Sequence, residues 1–303
     1  MPPHIHTYQL TPRQQTLLKE LLEQGNYLPV NVPYSTLAVK TPTCRITLYT
    51  SGKCVIQGKT AAEFVEFQLE PQVIFPTQGP PQPTPLETPH FGVDESGKGD
   101  YFGPLCTCAV YTDADLSPQL LAAGAKDCKV ISDQQVLKTG PRLRAILGNR
   151  YSLVMINPER YNQIRDQRTN LNRLLAWCHA KAICKALEQT PTCPRALSDQ
   201  FGNPQLIQGE LDRMHCSIHL DQRPRAETDV AVAAASVIAR ECFLRQLAKL
   251  SDLAGMTLPK GATHVVDAAV QLVRTKGVDS LKHYCKLHFK TTEAVLAKTG
   301  AAS

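Results

Sequence analysis

The chain has 303 residues, 43% of them hydrophobic, and a formal charge of +6 at neutral pH. That is apolar material enough for one large or two ordinary domains, and no run of eighteen or more apolar residues is present to span a membrane. The start, Met1-Pro2-Pro3-His4, lacks the charged and apolar regions of an export signal, so the eleven scattered cysteines, with no CxxC pair, read as reduced thiols of a cytoplasmic protein rather than a disulfide framework or a zinc site.

Thr11-Pro12-Arg13-Gln14 is a capping box with proline at the first helical position. The helix it opens carries Leu17, Leu18, Leu21 and Leu22 on one face and has its stop at Gly25. Three strand-like runs follow, Ser35 to Lys40, Cys44 to Thr50 and Lys53 to Gln57, with Ser51-Gly52 as a tight hairpin turn between the last two. Thr60-Ala61-Ala62-Glu63 reads as a second capping box, starting a short helix with Phe64 and Phe67. The sum is a compact α+β module. Its strand cations Lys40, Arg45 and Lys53 suit a nucleic-acid backbone or, equally, a solvated sheet face. Residues 76–89 hold six prolines, which can continue neither a helix nor a central strand. They are expected to be a semi-rigid linker between a domain at 1–75 and a second at 90–303.

The second domain alternates. Strands are expected ending at Asp94, then at Leu105 to Tyr111, Tyr151 to Ile156, Pro194 to Asp199 and Met214 to Leu220. Helical spacing covers Asp133 to Leu147, Pro158 to Gln167 and Asn170 to Glu188. The helix from Asp229 to Leu250 is apolar almost all round at its start and so must be buried against the sheet. Hairpin-like strands followed by strands separated by helices predict a mixed sheet in an α/β domain. From Lys260 onward seven Lys/Arg face three acids, and Lys282 to Lys290 interleaves cations with aromatics as phosphate-and-base surfaces do.

The most informative segment is Asp94-Glu95-Ser96-Gly97-Lys98-Gly99-Asp100. Paired carboxylates at a strand end can hold a metal. The glycines let backbone amides approach a ligand, and Lys98 adds a cation. Asp199 ends another predicted strand. If the two strands are parallel neighbours, their acids share one edge of the sheet. Glu227 precedes the buried helix, where Asp229 and Asp221 compete with it on the same grounds. Carboxylates without histidine or cysteine select Mg²⁺ or Mn²⁺. Neither the Walker A spacing nor a GxGxxG fingerprint occurs at this turn.

The run from Asp94 to Pro104 resembles the signature of bacterial ribonuclease HIII, a type 2 ribonuclease H. Asn170 to Ala180, Ser198 to Phe201, Ala233 to Arg240, the Leu258-Pro259-Lys260-Gly261 turn and His288-Phe289-Lys290 are similar to that family in the same order. Val39 to Pro42 and Ser51 through Gly58 resemble its TATA-box-binding-protein-like substrate-binding domain. The resemblance implies a ribonuclease H-like mixed sheet flanked by helices, with that small α+β domain in front. Asp94, Glu95, Asp199 and Glu227 then match the metal-binding and catalytic acids, which displaces Asp229 and Asp221. Gly97, Lys98 and Gly99 match the turn that contacts ribose 2′-hydroxyls, the groups that separate RNA from DNA. Lys260 and Lys53 are further substrate-binding candidates.

The implied activity is Mg²⁺- or Mn²⁺-dependent cleavage of the RNA strand of an RNA–DNA hybrid by a cytoplasmic monomer, leaving 5′-phosphate and 3′-hydroxyl ends. Three rivals stand beside it. They are ribonuclease HII-like incision at single ribonucleotides in duplex DNA, a non-catalytic hybrid-binding protein, and a Mg²⁺-dependent NTPase. A pure phosphate binder gains nothing from clustered negative charge, and the NTPase lacks its phosphate loop.

Overall fold

The computed structural model describes residues 5–23, 27–74, 88–125, 131–167, 171–200, 203–223 and 226–300. The chain divides into two compact units, the main division falling between Pro81 and Gln82. Within the predicted linker only Thr88 and Pro89 are among the described residues. The predicted helix stop at Gly25 also lies outside them.

The first unit is a five-stranded antiparallel sheet in the order β1-β5-β4-β3-β2, built from β1 (Ile5–Gln9), β2 (Leu28–Pro29), β3 (Ser35–Lys40), β4 (Cys44–Tyr49) and β5 (Lys53–Gly58). Helix α1 (Pro12–Glu23) starts at the expected capping box: the Thr11 amide donates to Gln14 Oε1 at 2.9 Å and the Gln14 amide to Thr11 Oγ1 at 3.4 Å. The second capping box does not form. Thr60 makes no side-chain cap, because its hydroxyl pairs with that of Thr43 at 3.0 Å. Helix α2 (Ala61–Phe64) instead runs on into wider π-type turns over Val65–Ile74. Leu18, Leu22, Ile46, Leu48, Ile56, Phe64 and Leu69 make the core of this unit. Lys40 pairs with Arg45 and Arg45 with Gln57, so alternation puts Lys40, Arg45 and Lys53 on the exposed face, away from that core. Strands β1 and β2 were not foreseen; the first is an edge strand and the second has two residues, too short for a pattern.

The second unit carries a mixed sheet in the order β10-β9-β6-β7-β8. Its strands are β6 (His90–Ser96), β7 (Leu105–Thr112), β8 (Tyr151–Ile156), β9 (Arg195–Asp199) and β10 (His219–Arg223). Strand β6 pairs antiparallel with β7 and parallel with β9, which meets the condition for the acids of β6 and β9 to share one edge. Around the sheet lie α3 (Leu116–Ala122), α4 (Asp133–Leu147), α5 (Pro158–Gln167), α6 (Leu171–Gln189), α7 (Gln205–Arg213), α8 (Val230–Ala254), α9 (Val266–Lys276), α10 (Leu281–Tyr284) and α11 (Lys290–Thr299). The expected strand from Met214 is corrected: the Met214 amide still bonds back to Glu210 at 3.1 Å as the end of α7, and strand pairing starts only at His219.

Helix α8 is buried continuously from Val230 to Ala239 and packs across β6 and β7. The approach is so close that a Cβ on Gly92 would fall 2.1 Å from the Val232 nitrogen. Helix α6 also packs on β6, β7 and β8. The ten cysteines among the described residues are free thiols, and none of the described helices is long and apolar enough to cross a membrane.

Candidate active site

Strand β6 does not stop at Asp94. It stays paired through Ser96, and the chain turns only at Gly97, whose φ of 94° puts it in the left-handed region. Asp94 and Glu95 therefore still alternate across the sheet: Gly92 and Asp94 share the face toward α8, and Glu95 points toward α6. The parallel register ends at Val93 opposite Ser198, which leaves Asp94 and Asp199 as the next residues on adjacent strands.

Lys98 connects these acids. Its Nζ lies 3.0 Å from Glu95 Oε1, and its charge is also coupled to Asp94 and Asp199. Burial alone would lower the Lys98 value, but the three carboxylates outweigh it and the net shift is upward. On Glu95, burial would raise the value, yet the Lys98 charge and a hydrogen bond from His179 hold it well below the usual carboxylate range. Glu227 stands in a single 3₁₀ turn, Ala226–Thr228, just before α8. The Ala226 amide donates to Asp199 Oδ1 at 3.3 Å, which ties that turn to the end of β9.

The rivals of Glu227 have other occupations. Asp229 is the N-cap of α8, accepting from the Ala231 amide at 2.9 Å and the Val232 amide at 3.2 Å, and both its oxygens lie 3.0 Å from the buried His90 ring. Asp221 pairs with Arg195 and His219 at the edge of the sheet.

The glycine turn is held from beneath. Lys286 has no exposed surface, and its Nζ donates to the carbonyls of Asp100 at 2.8 Å and Gly103 at 2.6 Å. The Lys286 amide bonds Tyr101 O at 2.8 Å, and the Gly103 amide bonds Tyr284 O at 3.0 Å. From the other side, Gly261 N donates to Asp100 Oδ1 at 2.7 Å and Tyr101 N to Gly261 O at 2.8 Å. Burial pulls the Lys286 value down from the ordinary 10.5 to about 8, with Asp100 opposing. The segment Lys282 to Lys290 is thus only partly the polyanion surface expected of it: Lys282 and Lys290 are exposed, while Lys286 is an internal brace. Gly97 and Gly99 also separate. A Cβ at Gly97 would meet the Pro104 carbonyl at 2.2 Å, so the fold itself demands glycine there. A Cβ at Gly99 would meet nothing within 4 Å, so the packing of the chain makes no demand for glycine there.

Lys260 pairs with Asp133, which also receives Arg240 at 2.8 Å, and so sits on that carboxylate and not on any of the four acids. Lys53 belongs to the first unit, exposed at the start of β5. Among the described residues no three His, Cys, Asp or Glu side chains are assembled into a metal-holding group. The donor set nevertheless fits a hard cation: three carboxylates already share the field of one ammonium, Lys98. Two residues that the sequence did not single out complete this arrangement, His179 and Lys286. A histidine inside the apolar stripe of α6 was the available signal for the first.

A family model described as Ribonuclease HII matches residues 91–292, and a domain of unknown function (DUF3378) matches residues 6–73. A ribonuclease HIII of Protochlamydia amoebophila is 40% identical over 304 residues, covering 99% of each chain. The chain belongs to the ribonuclease HIII family. A second ribonuclease HIII, from Chlamydia trachomatis serovar D, is 40% identical over 95% of this chain and 96% of its own. Among solved structures, Bst-RNase HIII in complex with Mn²⁺ superposes with a TM-score of 0.67 at 27% identity, covering 98% of this chain and all of that one. The mixed α/β fold and the ribonuclease class expected for the family hold. The Bst enzyme carries a hard cation of the kind that oxygen donors select.

Proposed function

We propose that this ribonuclease HIII family member hydrolyses the RNA strand of RNA–DNA hybrids at the edge formed by β6 and β9, leaving 5′-phosphate and 3′-hydroxyl ends. The observation that carries the reading is Asp94 and Asp199 as the next residues beyond the parallel register of adjacent strands, with Lys98 in the field of Asp94, Glu95 and Asp199. Asp94, Glu95, Asp199 and Glu227 would hold Mg²⁺ or Mn²⁺. When bound, such a cation supplies an activated water and charge stabilisation for the leaving oxygen. Lys98, 28% exposed beside Glu95, would be placed to meet a phosphate of the substrate. Gly99 admits a ribose close to the backbone, where a 2′-hydroxyl can be recognised. Asp94→Asn is expected to abolish cleavage in Mg²⁺ and Mn²⁺ while leaving the circular dichroism spectrum unchanged; an active variant would remove Asp94 from the site.

A second specificity has one observation in its favour, the Ribonuclease HII model over residues 91–292. Cleavage of a uniform hybrid compared with a duplex carrying one ribonucleotide separates the two, and preference for the latter would favour the ribonuclease HII-like reading.

Residues 1–75 we read as a substrate-binding domain, joined by the 76–89 linker to the catalytic domain at 90–303. The exposed cations Arg45 and Lys53 support this, since phosphate contacts contribute affinity without chemistry. Arg45→Glu with Lys53→Glu should raise KM for the hybrid with kcat little changed, and an unaltered KM would refute the role. The free thiols support a reducing, cytoplasmic location, and a monomer is the expected state.

A further inference from the structure

Helix α6 buries a histidine where its sequence is otherwise apolar. His179 has no exposed surface and lies among Leu174, Leu175, Ala182 and Ile183, all themselves buried. An imidazole in such surroundings is tolerated only if its nitrogens are hydrogen-bonded. Nε2 lies 2.8 Å from Glu95 Oε2, and Nδ1 lies 2.9 Å from Ser198 Oγ. An ionised carboxylate can only accept, so Nε2 donates.

The two oxygens of Glu95 are therefore held differently. Oε2 is bound to a ring fixed in the middle of a helix, whereas Oε1 is bound to Lys98, whose side chain is 28% exposed and sits on the turn after β6. The same ring reaches β9 at Ser198, the residue immediately before Asp199 and directly opposite Val93 in the parallel register. One side chain thus spans β6 and β9 where the parallel register between them ends.

We propose that His179 is a positioning residue for the metal site: it locks Oε2 of Glu95 inward, leaves Oε1 as the oxygen offered to a cation, and through Ser198 fixes the spacing of Glu95 from Asp199. This rests on Glu95 being a metal-binding acid. Partners behind a first ligand commonly change metal affinity or activity about 10- to 100-fold when removed, and a ring that touches both strands has the position to do so here.

The test is Mn²⁺ binding to the full-length protein without substrate, followed by calorimetry and by the loss of the free-ion electron paramagnetic resonance signal. His179→Phe keeps a planar ring, somewhat larger, and removes both hydrogen bonds. His179→Gln places an amide nitrogen near the Nε2 position, and His179→Asn places one near Nδ1 only. The expected result is Mn²⁺ affinity weakened about tenfold or more in His179→Phe and His179→Asn, with His179→Gln restoring most of it. In turnover, kcat should fall with the KM for hybrid unchanged. Equal affinity in His179→Asn and His179→Gln would overturn the proposal, and that pair still decides if His179→Phe fails to fold. Glu95→Gln is the control. If it binds Mn²⁺ like the unaltered protein, the assignment of Glu95 as a ligand fails; if it loses Mn²⁺ while His179→Phe does not, only the positioning role fails.

Discussion

Lys98 and Lys286 brace the same turn, residues 97–104, in opposite electrical surroundings. Lys98 stands beside Glu95 and within the field of Asp94 and Asp199, and its proton is held more tightly than in a free lysine. Lys286 is wholly buried against two carbonyls with the Tyr161 ring 5.8 Å from its Nζ, and its proton is held less tightly, down to about 8. Burial penalises both ammonium groups, the wholly buried Lys286 and the partly exposed Lys98. The difference is that carboxylates repay the penalty through charge, whereas carbonyl dipoles repay it only through hydrogen-bond geometry. A cation among carboxylates is exchangeable for another cation. A cation that closes carbonyls is part of the framework.

The largest expected effect comes from the framework lysine. Lys286→Met leaves the Asp100 and Gly103 carbonyls without their charged donor, and stability at pH 7 should fall by about 2–3 kcal/mol. A thermal melt checks this, and hydrogen exchange at the Gly103 amide should quicken because the turn is released. The folded value of Lys286 lies below the ordinary 10.5, so between about pH 8 and 10.5 the unfolded chain binds a proton that the folded one does not. Stability conferred at this site therefore rises with pH across that window. The gap in melting temperature between the unaltered protein and Lys286→Met should widen from pH 7 to pH 10; a constant gap would show that Lys286 does not titrate there.

Lys98→Ala should have the smaller effect, about 1 kcal/mol without metal, since its side chain is partly in water. Its distinguishing feature is replacement. Mn²⁺ should raise the melting temperature of Lys98→Ala more than that of the unaltered protein, because the competing ammonium is gone, and should raise Lys286→Met by the ordinary amount. Equal rises in all three proteins would break the contrast between an exchangeable and a structural cation.

Sequence reading named the candidate acids more completely than it described their surroundings. Asp94 and Asp199 were each read at a strand end because apolar runs closed by acids are visible in one dimension; that the two strands are parallel neighbours was a condition of the shared edge, and the pairing of β6 with β9 meets it. The strand end was misplaced by two residues, since nothing in Asp94-Glu95-Ser96 announces where pairing to Cys106 stops. Glu227 and Asp229 were indistinguishable by local chemistry, both being acids at the start of a helix. Their roles part only because His90, 139 residues away, binds Asp229, while the Ala226 amide brings the other turn to Asp199.

By itself, the sequence determined the order of the strands and helices that carry the acids, the hard-oxygen character of the donors, and the family. These are properties of neighbours along the chain: alternation, helical spacing, caps, and the Gly-Lys-Gly signature. Only the tertiary structure decided which buried polar groups serve the site. His179 and Lys286 acquire meaning from partners 84 and 183 residues away, Glu95 and Gly103. The physical reason is that desolvation forces a buried nitrogen to find an acceptor, and which acceptor it finds depends on how the sheet and helices pack in space.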